Sequence, residues 1–333
     1  MKDVLVFLCG FIAVAIKQGT PLLFGSTGEI LTEKSGNLNL GIPGIMYMGG
    51  VSGVIGAFFY EKAMAGQPLN PLLGILIPLV CALLGSALLA LIYSFLTITL
   101  RANQNVTGLA LTTFGVGVGD FFGGSLAKLF GAGGSLSIRN TSTLFRSTLP
   151  FAEDWGAVGE LLFSYGFLVY VAFVLAFIVS FVLNKTRIGL HLRAVGENPA
   201  TADAAGINVT RYKYTATVLG GVIAGLGGLY YIMDYAYGTW SDGSFGDRGW
   251  LAIALVIFAL WRPKTGILGS FLFGALYVLP AHLNFGENRM VQYAVMVLPY
   301  VVTIIVLIVI SMRKKREHQP PQSLGLPYFR EER

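Results

Sequence analysis

The sequence predicts an all-α polytopic membrane protein of about nine transmembrane or broken helices. Three observations carry this. Of the 333 residues, 54% are hydrophobic and 12% charged, whereas soluble domains carry roughly 25% charged residues. Mean hydropathy is +0.68. Apolar runs approaching the roughly 20 residues a helix needs to cross the hydrocarbon recur along the whole chain. So little charge would not keep a soluble chain of this size dispersed. Soluble enzymes, nucleic-acid-binding domains and disordered scaffolds are therefore excluded as classes.

The expected spans are 4–25, 41–60, 72–100, 105–122, 164–184, 214–235, 249–261, 264–281 and 290–311. Runs 72–100, 164–184 and 290–311 are uninterrupted by charge. Run 249–261 is short, which fits a tilted, broken or re-entrant helix, and 105–122 is rich in Gly and Thr, which predicts a broken or buried one. Basic residues orient the set. Loop 185–213 carries Lys185, Arg187, Arg193, Arg211 and Lys213, and the tail carries Arg313, Lys314, Lys315 and Arg316. With four spans between them, both lie on one side, as do Arg101, Arg262 and Lys264. That side holds 15 of the 23 Lys and Arg but 7 of the 17 Asp and Glu, which marks it as cytoplasm. The C-terminus is then cytoplasmic and the N-terminus outside. The first apolar run lacks a small-residue cleavage site and is read as a span, not a signal peptide. This divides the chain into a transmembrane domain, 1–312, and a charged cytoplasmic tail, 313–333, without the composition of a packed unit. The polar external segment 123–163 is either a plain loop or a lid and docking surface.

Four segments are not explained by ordinary spans. In one, 246–269, two apolar pieces flank a basic turn broken by Pro263, with Trp250 and Trp261 as interfacial aromatics at the ends of the short piece, and a simple hairpin covers most of this. Residues 28–44, GEILTEKSGNLNLGIPG, put Glu29, Glu33, Asn37 and Asn39 between two apolar runs. Non-helical backbone near membrane depth survives where protein buries it or a cavity wets it, and carboxylates there are costly. The segment is read as a re-entrant element lining a pathway, against the alternative of a polar cytoplasmic turn. Residues 101–120 bring Asn105, Thr107, Thr112 and Thr113, which either line a path or hydrogen-bond between helices. In 189–213, Asn198-Pro199 is an N-cap with proline at the first helical position, the alanines favour helix, and Gly206 offers a C-cap. The spacing predicts a two-turn helix on the cytoplasmic face. It either docks into a groove on a partner or rests on the lipid surface.

No phosphate-cradling GxxxxGK[ST] sequence or GxSxG elbow occurs. His191, His282 and His318 lack metal-ligand spacing, and Cys9 and Cys81 read as core residues. No catalytic set, resident cofactor or metal site is expected.

Taken together, these segments resemble the permease subunits of type II ABC importers, the inner-membrane translocator class that includes ribose, galactose and branched-chain amino acid permeases. The first motif reads Thr20-Pro21-Leu22-Leu23, then Glu33, Gly36, Asn39, Leu40, Gly41, Ile42, Gly44 and Met46. The cytoplasmic motif reads Gly196, Asn198, Pro199, Ala200, Ala202, Ala205, Gly206 and Ile207. A later one reads Asp247-Arg248-Gly249, Ala254 and Trp261-Arg262-Pro263. The resemblance spans 19–310 and is strongest to the shorter permease of bacterial nucleoside importers. Pro43, where the family usually has an acidic residue, and Thr201, Asp203 and Ala204 depart from the pattern.

The resemblance implies an inner-membrane importer subunit for purine nucleosides or related base-containing solutes, with riboflavin, simple sugars or branched-chain amino acids as other cargoes. An ion-coupled secondary transporter is the alternative of another class. It also implies a coupling segment, Glu197, Asn198, Pro199, Ala200, Thr201, Ala202 and Gly206, that meets a cytoplasmic ATPase holding ATP and Mg. Glu29, Glu33, Asn37, Asn39, Asn105, Thr107 and Phe114 would line the pathway. The implied partners are that ATPase, a second homologous permease, an external substrate-binding lipoprotein and the lipid bilayer; nucleic acid is not among them.

Overall fold

A computed structural model describes residues 2–129, 135–148, 156–282, 289–312 and 319–330. The expected basic run Arg313–Arg316 and the glycines Gly131, Gly133 and Gly134 lie outside the described residues. Among those described, six helices are long and apolar enough to cross a membrane: Phe7–Glu33, Ile42–Ala63, Pro71–Thr99, Gln104–Ser125, Phe167–Lys185 and Val209–Tyr235.

Helix α1 (Lys2–Glu33) runs farther than expected. Its last two turns absorb Gly28–Glu33, so the non-helical element shrinks to residues 34–41. Pro21 lies inside α1 and has no N–H to give the Lys17 carbonyl. The Tyr230 hydroxyl donates to that carbonyl instead, at 3.1 Å, so the helix continues past the proline. Helix α2 (Ile42–Ala63) carries Pro43 in its first turn, and α3 (Pro71–Ser94) is capped by Asn70, whose side chain accepts from Leu72 N. A widened π turn over 95–99 carries α3 to Arg101, which is left-handed at φ 58°.

Helix α4 (Gln104–Leu129) is a single uninterrupted helix, so of the two expectations, broken or buried, the break does not occur. Its glycines face neighbours closely enough to replace side-chain packing, Gly44 of α2 lying against Gly115. The external segment contains β1 (Ser135–Ser137), α5 (Arg139–Phe145) and α6 (Gly156–Phe163). Helix α7 (Phe167–Lys185) returns to the end of the bundle that carries the α1–α2 turn. There α8 (Arg187–Glu197), in a stretch expected as loop, leads into α9 (Pro199–Ala204).

Helix α10 (Val209–Tyr230) ends in a second π turn over 231–235. Strand β2 (Thr239–Ser241) then pairs antiparallel with β1. Helix α11 (Arg248–Phe258) has 11 residues, about 16 Å at the α-helical rise, half a bilayer core. The short piece at 249–261 is therefore a half-helix. Leu260 and Trp261 turn the chain in the left-handed region, φ 55° and 53°, into α12 (Pro263–His282), which packs antiparallel to α1. The expected continuous span 290–311 is instead α13 (Arg289–Met296) and α14 (Leu298–Met312), interrupted at Val297. Pro299 follows the break in the first turn of α14, where its missing N–H cannot continue the α13 ladder.

The core is centred on α1, α2 and α10, joined by α3, α4 and α12. Leu23, Phe24, Met46, Val54, Leu229 and Tyr230 fill it. The described part of the tail does not hang free. Ser323 N and Oγ reach the Gly196 carbonyl at 3.1 and 2.6 Å, and Gly325 N reaches the Gly36 carbonyl at 3.2 Å. Tyr328 donates to Asp203 at 2.8 Å, Arg330 pairs with Asp203 at 3.2 Å, and Arg101 lies 4.7 Å over the Phe329 ring. Glycines and hydroxyls that bond backbone let a segment poor in apolar residues still pack.

Candidate functional site

Two sites follow from the sequence. The first is the polar element between α1 and α2. Residues 38–41 cannot satisfy their own backbone, so side chains from three helices do it. Glu29 of α1 accepts from Asn39 N at 2.9 Å. From α4, Gln104 Oε1 accepts from Leu38 N at 2.7 Å, and Thr112 donates to the Leu40 carbonyl at 2.7 Å. Tyr93 of α3 donates to the Leu38 carbonyl at 2.5 Å. Asn39 Oδ1 closes the turn on Gly41 N at 2.9 Å, and Asn37 donates to Thr217 of α10 at 2.9 Å. Glu33, one turn from Glu29, accepts from the Trp261 indole at the end of the half-helix.

Glu29, Glu33, Asn37 and Asn39 are thus brought together, and all four are buried, none more than 3% exposed. In this conformation they form a knot tying the inner ends of α1, α2, α3, α4, α10 and the half-helix. The other three residues expected to line a path lie elsewhere. Asn105 and Phe114 are exposed and Thr107 is half-buried on α4. Tyr93, Gln104, Thr112, Thr217 and Trp261 were missed as partners. Gln104 and Thr112 lie in the polar stretch 101–120, but nothing in the sequence pairs them with 38–41. Gln104→Leu strands the Leu38 N–H in the interior. The expected cost is about 1–3 kcal/mol, read as a lower unfolding midpoint in detergent.

The second site is the surface around α9. Asn198 is the N-cap, its side chain accepting from Thr201 N at 3.0 Å, with Pro199 in the first turn. At the other end Gly206, at φ 82°, bonds back to Asp203 and Ile207 N reaches the Ala202 carbonyl at 3.0 Å. That is a Schellman closure, for which glycine suits the left-handed position. Ala202 points inward against Val195, Val209 and Tyr328. Glu197, Asn198, Thr201 and Gly206 are exposed, and Pro199 and Ala200 half-buried. Beneath them burial, then nearby Arg193 and Arg262, hold the Lys34 ammonium below its ordinary range, while Glu197 opposes the shift.

Toward the outer end, the stretch 236–247 turns back into the bundle. It inserts Trp240, 1% exposed, against Tyr47 with ring centroids 5.0 Å apart, and Tyr47 donates to Asp120 of α4. Arg248, at the start of the half-helix, is caged by Tyr231 at 4.3 Å, Tyr277 at 5.2 Å and Tyr235 at 5.3 Å, and donates to the Phe245 carbonyl at 2.7 Å. Cation–π contact and carbonyl acceptors are how a guanidinium is kept at membrane depth.

A many-spanned helical bundle with a half-helix, a buried polar knot and a capped helix at one end is the architecture of a polytopic membrane protein. The family model for the permease component of branched-chain amino acid transport systems matches residues 11–307, and the chain belongs to that family. It is similar to a putative glucose ABC transporter permease, TsgC13, of Haloferax volcanii, 33% identical over 82% of this chain and 77% of the relative. The nucleoside ABC transporter permease NupC of Lactococcus lactis is 33% identical over 89% of this chain and 90% of its own. The guanosine ABC transporter permease NupQ of Bacillus subtilis is 29% identical over 99% and 100%. The chain is a multi-pass membrane permease of an ABC transporter and not an enzyme.

Proposed function

We propose that this chain is one of two permease halves of an ATP-driven importer of nucleosides, purine nucleosides first. It moves the solute inward unchanged, in a bacterial cytoplasmic membrane, with its C-terminus on the cytoplasmic side and its N-terminus outside. The observation that carries the coupling role is α9: a doubly capped helix, anchored by Ala202, that leaves Glu197, Asn198, Thr201 and Gly206 outward. Caps at both ends make so short a helix a rigid lever instead of a fraying one. A cytoplasmic ATPase, holding ATP and Mg, would close on this helix. α8 and the tail strap, both bonded through Gly196, would pass the movement to the bundle. Such a motion needs contacts that differ between the two states, and the exposed face of α9 supplies them.

The cargo reading rests on the nucleoside and guanosine permeases among the relatives; a sugar is the rival, supported by the Haloferax relative. For the pathway, Asn105, Thr107 and Phe114 would face the second permease along α4, Phe114 offering a ring for a base to stack on. The buried quartet Glu29, Glu33, Asn37 and Asn39 would hold the walls in position. An external substrate-binding lipoprotein would deliver the solute at the face formed by β1, β2 and α5.

The chain is tested with its ATPase and companion permease in vesicles. ATP-dependent uptake of radiolabelled guanosine is expected, with glucose taken up less than about a tenth as fast. Asn198→Ala with Pro199→Ala removes the cap at a stability cost of about 1 kcal/mol and is expected to lower coupled uptake at least tenfold while the complex still assembles. Unchanged uptake by that variant would overturn the coupling assignment. Glucose uptake equal to guanosine would overturn the cargo, and uptake by the chain alone on an ion gradient would overturn the ABC mechanism.

A further inference from the structure

A cavity of about 750 Å³ opens on the inner end of the bundle, between the end of α3, the start of α10 and the tail strap. Its lining is strongly basic: Arg101, Arg211, Lys213 and Arg330 against a single acid, Asp203. That acid is already engaged, since Arg330 pairs with it at 3.2 Å and Tyr328 donates to it at 2.8 Å. Lys213 is the unusual member. It is 3% exposed, yet it lines the cavity, and its ammonium has no hydrogen-bond or ion-pair partner among the described residues. A buried lysine without a partner is expensive unless an anion comes to it.

A second feature points to the same charge. Helix α10 begins here, with Asn208 as its N-cap accepting from Arg211 N at 2.9 Å. Asn208, Val209 and Thr210 line the cavity beside Lys213, so the positive end of the dipole of a 22-residue helix lies there, an arrangement that favours phosphate. Lys213 lies about 7.5 Å along the helix from its cap, so its stem lies in the wall while its charge reaches the cavity.

We propose that this cavity is an anion site that takes a phosphate group, held by Lys213, Arg211 and the N-terminus of α10, with Arg101 and Arg330 at its rim. The site is separate from the solute pathway and needs no transport activity to be seen. Two sources supply that chemistry, the headgroup of an anionic phospholipid and a free phosphate. The tail strap supplies part of the wall, so occupancy would fasten the strap to α10.

The purified full-length chain is incubated with vesicles of equal phosphatidylglycerol and phosphatidylcholine, and the lipid it retains is measured by native mass spectrometry. Retention of phosphatidylglycerol is expected, reduced about fivefold in Lys213→Met, the value of one surface charge, and kept in Lys213→Arg. In phosphatidylcholine nanodiscs, a rise in unfolding temperature with inorganic phosphate that Lys213→Met removes would identify free phosphate as the source. If Lys213→Met does not fold, the exposed Arg211→Gln carries the same comparison. No response of the wild-type chain to either probe, or the same response from wild type and variants, would overturn the site.

Discussion

Replacing Gly228 by leucine is expected to abolish the folded bundle. Helices α2 and α10 cross with backbone against backbone. A Cβ at Gly228 would overlap the Met46 carbonyl oxygen, and one at Gly49 would sit 2.5 Å from the Gly225 carbonyl oxygen. These obstacles are main chain, which cannot rotate away as a side-chain tip could. Overpacking a well-filled interior costs about 1–3 kcal/mol when side chains can adjust, and here the helices themselves must separate. Their separation would also move Ile45 and Met46, which pack beside the polar knot, and strip the close contact on which helix association without a hydrophobic drive depends. The expected result is aggregation or a missing monodisperse peak on size exclusion. Gly117→Leu is the matched control: a Cβ there meets nothing within 4 Å, and the variant is expected to behave as wild type.

A chain ending at residue 318 is expected to fold but to lose most of its coupling. Residues 319–330 hold α8 through Gly196, the 34–38 turn through Gly36 and α9 through Asp203. Four hydrogen bonds at roughly 0.5–1.5 kcal/mol net each, with Pro321 and Ser323 buried, outweigh the surface ion pair, which is worth at most about 1 kcal/mol. Without them α9 keeps its own caps but loses Tyr328 from its inner side. The core of α1, α2 and α10 is untouched. The unfolding midpoint is expected to change little, protease cleavage within 197–208 to rise, and ATP-driven uptake to fall roughly tenfold, equivalent to about 1.4 kcal/mol of lost coupling. Tyr328→Phe is expected to give a smaller change in the same direction. Cleavage and uptake equal to the intact chain would show that the strap only rests on the surface.

The contrast between α9 and the polar knot shows which parts of this protein are legible along the chain. The Asn198-Pro199 start, the alanines and the Gly206 stop specify α9 through bonds spanning no more than five residues, so they appear in sequence as they do in space. The number and class of the apolar runs are legible for a similar reason: crossing hydrocarbon sets a length and forbids charge whatever the neighbours are. Breaks are harder. Glycines in α4 read equally as a break or as close helix packing, and only the fold shows that the helix continues. The run at 290–311 read as continuous, yet it divides at Val297.

Composition, spacing and local caps determined a multi-pass membrane protein with a short capped helix between two of its spans, because those properties depend on the bilayer and on neighbours a few residues away. The fates of Glu29, Glu33, Asn37 and Asn39 were decided only in three dimensions. Their partners, Trp261, Thr217 and the backbone that Gln104 and Tyr93 also hold, come from helices up to 228 residues distant. The same is true of the tail, whose polar composition reads as unstructured until Gly36, Gly196 and Asp203 are folded into one surface that can receive it. An unpaired polar group at membrane depth must find a partner somewhere, and only packing determines where.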